Sequence, residues 1–417
     1  GLLFACVRDC DTFRRKCVPA VRSVNLTRSQ PRLMLQNKIA LASVFMAAAS
    51  ASTAEIVINE FLSFEGFVDM AYAHYDGRVH SNDSDEAGQH GEHSDNRYAV
   101  DQIELSWLFG FERVTAQIDL EYEEGDSGTE VDQAYVTYDL APGHALTAGR
   151  YDSMLGFEAF EPTGLYQVSR AYGFPRALAE DGDFDDMVVD GGASVVFPLP
   201  GTNQGVRYTY QTDQATFAVS VQDGVYQYAD RLGGSDEGED GGGYGLEAGC
   251  GYEVADGWEL SVGAAYEDGG QTALADSSES YVVNGYLSYE SGPWLLAAEV
   301  NYGESELGRV RISPETTQTA VSDLHTRTVS GLLMANYAYT PRASVTGRFS
   351  FVDADVDDYR DLDAYESVQY TLAHNYAVTD HLRVVAEVSY IEGEGDDDRD
   401  ILEFEELLGA LKLIFAF

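Results

Sequence analysis

The sequence predicts an all-β fold: a transmembrane antiparallel β-barrel of about 16 strands, with short periplasmic turns and long acidic extracellular loops. Three observations predict it. Apolar and polar residues alternate with period two from about residue 61 to the end, the signature of strands with one face to lipid and one to water. The last strand ends on an aromatic residue, Phe417. The three tryptophans all sit beside short turns.

The N-terminal region reads differently from the rest. Met34 to Lys38 form a short basic start, Ile39 to Phe45 an apolar middle, and Ala51-Ser-Thr-Ala54 a small-residue exit. That order is expected of a secretory signal peptide over residues 34–54. The apolar part is too short for a comfortable membrane span. Residues 1–33 are then expected to be an upstream extension from a start site assigned too early. They carry Cys6, Cys10 and Cys17, whose spacing lacks paired C-x-x-C, so no metal-binding arm is expected. Cys250 stands alone in the remainder, residues 55–417, which form the barrel.

Strands follow in sequence from the alternation. Leu62, Phe64, Gly66, Val68, Met70 and Tyr72 share one face, with Ser63, Glu65 and Asp69 opposite. Val114, Ala116, Ile118, Leu120 and Tyr122 alternate with Thr115, Gln117, Asp119 and Glu121. Carboxylates at every second position do not suit a core packed on both sides; they suit a wall with water on one side. The remaining strands are expected at 131–140, 144–151, 204–212, 215–223, 244–254, 258–267, 280–290, 294–303, 327–340, 343–353, 366–377, 381–392 and 406–417, with 98–109 before the 112–123 strand. Two-residue turns at Gly110–Phe111, Pro142–Gly143, Asp213–Gln214, Asp256–Gly257, Gly292–Pro293, Pro341–Arg342 and Thr379–Asp380 alternate with longer acidic connections. Short turns on one side and loops on the other match the outer-membrane arrangement.

Aromatic spacing gives a second measure. Trp107, Trp258 and Trp294 lie at the short-turn end, while Tyr266 and Tyr302 lie eight positions along from the last two. Eight residues at about 3.3 Å, tilted near 40°, rise about 20 Å, close to the height of an apolar band rimmed by aromatics. In the last strand Phe417, Phe415, Leu413, Leu411 and Gly409 share the apolar face. Phe417 is expected at the periplasmic rim, as the terminal signal that the outer-membrane assembly machinery reads.

Composition excludes some functions. With 71 acidic and 25 basic residues the formal net charge is -46, which repels nucleic acid. Tyr (27) and Gly (41) are abundant while mean hydropathy is only -0.23, because half of each barrel strand is polar. The localisation expected is the bacterial outer membrane, in contact with its lipid.

The segments Gln133-Ala-Tyr-Val-Thr-Tyr138, Thr147-Ala-Gly-Arg-Tyr-Asp-Ser-Met-Leu-Gly-Phe-Glu158 and Tyr166-Gln-Val-Ser-Arg-Ala-Tyr-Gly-Phe-Pro175 resemble the outer-membrane β-barrel porins of the OmpL-like type. The resemblance covers roughly residues 131–176 and implies a passive channel. It brings no defined set of functional residues.

Functional candidates come from parity and loop length. The longest connection, 152–203, gathers Tyr166, Arg170, Tyr172, Phe174 and Arg176, which would contact solute if the loop folds into the lumen as a constriction. Lumen charges expected from parity are Glu65, Asp69, Asp119, Glu121, Arg207, Glu247, Glu259, Glu299, Arg348, Arg383 and Glu387. Acidic and basic rows would set a transverse field, and the acidic excess favours cations. The expected function is therefore a porin for small hydrophilic solutes, as a single barrel or a homotrimer. A receptor or adhesin acting through its loops is the alternative. A barrel hydrolase is disfavoured, because His74 and Asp69 have opposite parity and no other nucleophile–base pair is apparent. No cofactor or metal centre is expected. Asp353-x-Asp355-x-Asp357 opens like a calcium loop but lacks the required Gly and terminal Glu.

Overall fold

The computed structural model describes residues 55–81, 90–123, 128–173, 175–176, 188–189, 193–194, 199–225, 243–268, 279–307, 324–357, 363–397 and 400–417. The expected leader and upstream extension, Phe174 and most of the acidic run 235–243 lie outside them. Sixteen strands form the ring: β1 (Leu62–Ser81), β2 (His90–Phe111), β3 (Val114–Glu123), β4 (Glu130–Ala141), β5 (His144–Asp152), β6 (Thr202–Gln211), β7 (Ala215–Gln222), β8 (Tyr244–Ala255), β9 (Trp258–Asp268), β10 (Glu279–Ser291), β11 (Trp294–Leu307), β12 (Leu324–Thr340), β13 (Ala343–Asp357), β14 (Ala364–Thr379), β15 (Leu382–Asp397) and β16 (Asp400–Ala416). Every strand pairs antiparallel with its neighbour in sequence, and β16 closes the barrel on β1 from Leu402↔Ser81 to Ala416↔Phe67. A two-residue strand, Ile56–Val57, adds to the base of β1.

The short turns fall where the Gly and Pro signals place them, with two corrections. The β2–β3 turn is Glu112–Arg113 rather than Gly110–Phe111: Phe111 stacks on Phe61 at 5.4 Å and extends the ladder to Phe111↔Val114. Arg113 then lies over the Tyr138 ring. The β14–β15 turn moves one residue, to Asp380–His381. Gly143 and Gly257 hold positive φ (76° and 73°) in their turns, a conformation that favours glycine.

The opposite ends differ more from expectation. Strands β1, β2 and β12–β16 run 15 to 22 residues, with β1, β2, β13, β15 and β16 well past the predicted limits, whereas β3–β7 have 8 to 12. About 9–11 tilted residues cross a membrane, so one part of the wall just spans and the other projects beyond it. The predicted acidic loop at 392–400 is largely strand, paired up to Asp397↔Asp400. Asp353 and Asp355 likewise stand exposed on β13, in extended backbone rather than a calcium loop.

Burial is inverted relative to a soluble sheet. Apolar Val300, Leu333 and Leu372 are 59–60% exposed on the outer face, while Asp69 and Asp119 are fully buried inside. Such an exterior belongs in lipid. The aromatic rim forms at the turn end from Trp258 on Tyr289 (4.6 Å) and Trp294 on Tyr337 (4.5 Å). Trp107 meets Phe64 there (5.1 Å), and Phe64 meets Phe417 (5.6 Å). Tyr266 beside Tyr244 and Tyr302 beside Tyr281 lie toward the other end. Gly66 exchanges both backbone hydrogen bonds with Phe417 (2.9 Å each). A Cβ on Gly66 would come within 3.1 Å of the Phe417 ring and 2.4 Å of the Glu104 carbonyl, so the absent side chain is what seats the last residue.

Candidate functional site

The connection between β5 and β6, residues 153–201, is pinned at its neck by Ser153 N–H donating to the Gly201 carbonyl (3.1 Å). Its first part, up to Arg176, turns inward and is held by side chains on the lumen faces of strands around the ring. Strand parity accounts for this. Inward positions of β9–β12 carry Ala265, Val282, Tyr286, Leu295, Ala297, Leu332 and Met334 beside the few acids Glu267 and Glu299. Such a face needs an apolar cover. Phe157 and Ala171 of the loop pack on the Tyr286, Leu295 and Leu332 group, with Tyr166 and Tyr172 alongside. Leu155 packs with Val225, Ala265 and Val282.

Wall carboxylates cap the loop's backbone N–H groups. Glu247 of β8 accepts from Met154 N–H and from the Ser153 hydroxyl (2.8 Å). Glu299 of β11 accepts from Phe157 N–H (3.3 Å) and the Tyr172 hydroxyl (3.3 Å). Glu387 of β15 accepts from Val168 and Ser169 N–H.

Arg348 of β13 makes the densest attachment. Its side chain has no exposed surface and pairs with Glu158 of the loop at 2.6 Å. It also donates to the carbonyls of Ser169 (2.7 Å) and Arg170 (2.9 Å) and to the Ser169 hydroxyl (2.9 Å). Nearby, Arg383 donates to the Pro162 carbonyl (2.7 Å), and Asn375 and Thr346 to the Tyr166 carbonyl (2.6 and 3.1 Å). A planar guanidinium with five donors suits such a carbonyl-lined niche.

The loop meets β2–β5 through acids. Gln102 of β2 donates to Glu161 (3.1 Å) and to Glu121 of β3. Glu161, Glu104 of β2 and Asp132 of β4 place carboxylate oxygens within 4.8 Å of one another. The Thr202 hydroxyl lies between Asp132 (3.3 Å) and Asp152 (3.5 Å). Burial first, and then the charges of Glu104, Asp152 and Asp132, hold the Glu161 carboxyl well above the ordinary carboxylate range.

The residues singled out in sequence therefore separate. Tyr166 and Tyr172 lie on the apolar wall, and burial beside Glu299 and Glu158 raises the Tyr172 phenol. Arg170 turns back to its own loop, donating to the Ala159 carbonyl (2.9 Å) and to that of Phe160. Arg176 reaches Asp95 of β2 (3.5 Å) and lies 4.6 Å from the Tyr75 ring centre. Among the parity-derived charges, Arg207 stacks on Tyr151, Glu259 accepts from Tyr286, and Asp69 pairs with Lys412 at 2.5 Å. His74 bonds Asn96 (3.1 Å), away from the buried Asp69. Sequence reasoning passed over Glu158, Glu161, Glu104, Asp132 and Lys412. Glu104 and Lys412 sit at lumen parity and could have been found by it; Asp132 turns inward only because a bulge near Val131 shifts the alternation of β4. Their grouping could not, because it depends on where the loop goes.

Comparison with known proteins gives consistent results. The sequence profile of the family described as putative β-barrel porin-2, OmpL-like, matches residues 193–417, beyond the segment that carries the resemblance at 131–176. The outer-membrane channel DcaP of Acinetobacter baumannii superposes with a TM-score of 0.54, at 15% identity, over 85% of this chain and 97% of that one. The outer-membrane-expressed OmpT of Vibrio cholerae superposes with a TM-score of 0.51, at 9% identity, over 87% and 100%. At these identities the likeness is one of fold. No curated protein matches the chain by sequence.

Proposed function

Because the chain belongs to the OmpL-like β-barrel porin-2 family, we propose that it is a passive diffusion channel for small hydrophilic solutes, with a preference for cations. It is a protein of the bacterial outer membrane. The observation that carries the reading is the crossing of a closed sixteen-strand barrel by a loop held from several sides of the lumen. A loop tethered in this way sets the width and charge of the path without blocking it by a separate domain. Tyr166, Tyr172 and Arg176 border the constriction, with Arg170 stiffening the loop from within. The cation preference follows from the acids Asp119, Glu121, Asp132, Asp152 and Glu161 between β2 and β5. Carboxylates lining a path raise the local concentration of cations.

In this reading the barrel does no catalysis. Phe417, seated on Gly66, serves as the recognition end for the assembly machinery. Three copies associate through the low wall β3–β7, whose outer face shows Val136, Leu146, Phe217 and Val219. Planar-bilayer recording of the purified protein tests the channel. Stepwise conductance is expected, with a reversal potential in a potassium chloride gradient displaced toward the potassium equilibrium. Bilayers that stay closed at saturating protein would sink the channel, and displacement toward chloride would sink the cation preference. Deleting Phe417 should lower the amount of inserted barrel while leaving the selectivity of what inserts unchanged; normal surface levels refute its role. A solution mass of one barrel in detergent would refute the trimer.

A further inference from the structure

The acidic group between β2, β4 and the inserted loop has no ion-paired counter-charge among the described residues; Arg150 and Arg207 act on Asp132 and Asp152 only through space. Five carboxylates meet there: Glu104, Asp119, Asp132, Asp152 and Glu161. Among the described residues no Lys or Arg forms an ion pair with any of them. The two nearby arginines are turned to backbone instead, Arg150 to the Asp132 carbonyl (2.7 Å) and Arg207 to the Asp152 carbonyl (3.2 Å). Buried charges are ordinarily paired or coordinate a metal.

The neutral donors around the group hold one oxygen of several carboxylates and leave another facing inward. Ser106 donates to Glu104 Oε1 (2.9 Å), while the buried Glu104 Oε2 meets no neutral or cationic donor and has the Glu161 carboxyl as its neighbour. Gln117 donates to Asp119 Oδ2 (2.8 Å), and Asp119 Oδ1 accepts nothing although the residue is 0% exposed. Asp119 stands opposite Ser106 across the β2–β3 ladder, so it faces the same patch of lumen as Glu104. Oxygens that share a calcium ion at about 2.4 Å lie no more than about 4.8 Å apart. The oxygens of Glu104, Asp132 and Glu161 meet that limit. The donor set is oxygen only, which selects a hard cation, and Ca²⁺ with its flexible shell accepts an irregular carboxylate set more readily than Mg²⁺, which demands near-ideal octahedral geometry.

We propose that Glu104, Asp132 and Glu161, with Asp119 beside Glu104, form a Ca²⁺ site that ties the inserted loop to β2 and β4. Gln102, Ser106, Gln117 and Thr202 orient the carboxylates around the ion, as outer partners do in metal sites. The inference does not depend on the channel reading.

Calcium titration by calorimetry tests it on the whole barrel in detergent at neutral pH, after treatment with a chelator. Wild type, Glu161→Gln, Asp132→Asn and the outer-face control Asp355→Asn are compared. One saturable Ca²⁺ per chain is expected in wild type and in Asp355→Asn. The affinity should fall at least about tenfold in Glu161→Gln and in Asp132→Asn. Added Ca²⁺ should raise the unfolding temperature of wild type and leave that of Glu161→Gln unmoved. Glu161 lies in the loop and Asp132 in a strand, so if one variant fails to fold the other still decides. Equal binding in wild type and the folded lumen variants would place the ion on the outer acids and overturn the proposal. So would the lack of any saturable site, which would mean that the group shares protons instead.

Discussion

The inserted loop is fastened to two sides of the same barrel by opposite electrostatics. Against β13–β15 every charge is matched: Arg348 answers Glu158 and three carbonyl or hydroxyl oxygens, and Glu387 answers two N–H groups. Against β2–β5, Glu161 meets more carboxylates, bridged only by the neutral Gln102 amide. The first contact is built on an ion pair and backbone caps supplied by the chain itself, with Arg348 Nε and Asn375 Oδ1 left over. The second holds an excess of negative charge at the lumen surface. One loop therefore has a fixed side and a side whose grip depends on what the solution supplies, and cations are what it attracts.

Changes on the fixed side should have the largest effects. Arg348→Ala leaves Glu158 without its cationic partner and removes four further hydrogen bonds, the fourth being that to the Thr371 hydroxyl (3.2 Å). Breaking such a buried pair costs about 3–5 kcal/mol. We expect the loop to leave the wall, seen as a severalfold rise in single-channel conductance and new proteolytic cleavage between residues 153 and 176. Unchanged conductance would show that the apolar cover at Phe157 and Leu332 suffices alone. Glu387→Gln keeps the shape but weakens the caps on Val168 and Ser169, at a cost of about 1–3 kcal/mol. A smaller conductance rise with noisier open states is expected, and steady wild-type levels would count against the capping role. Tyr172→Phe removes the hydroxyl that meets Glu299 and Asn301 (3.3 and 3.0 Å). It should lower the unfolding temperature slightly, for a loss of about 1 kcal/mol.

On the acidic side the sign should reverse. In chelator-treated protein, Glu161→Gln replaces a carboxyl whose ionisation its neighbours oppose with a neutral amide, while keeping the contact to Gln102. The unfolding temperature should stay level or rise, with reduced cation preference in the reversal potential. A fall as large as that of Arg348→Ala would erase the contrast between the two sides.

How far the sequence carried differs between wall and loop. Parity placed Asp119, Glu299, Arg348 and Glu387 on the inner face because strand side chains alternate strictly, whatever lies across the barrel. It missed the apolar meaning of Leu295, Ala297, Leu332 and Met334, which also hold inward positions. Read one strand at a time they look like ordinary interruptions of a polar face; side by side on β11 and β12 they form a floor for Phe157 and Ala171. Strand ends were read short because acidic runs such as Glu392 to Asp397 look like loop, while the ladder to β16 continues through them.

By itself the sequence determined the number of strands, their order around the ring and the lipid-facing side. These follow from local periodicity and from turns too short to allow any partner but the next strand. Only the tertiary structure decided that Glu158 meets Arg348, 190 residues away in sequence, and that Glu161 joins Glu104 and Asp132. Those meetings arise from closing the ring and folding one long connection into it. That connection carries no periodicity that fixes which wall residues it will touch.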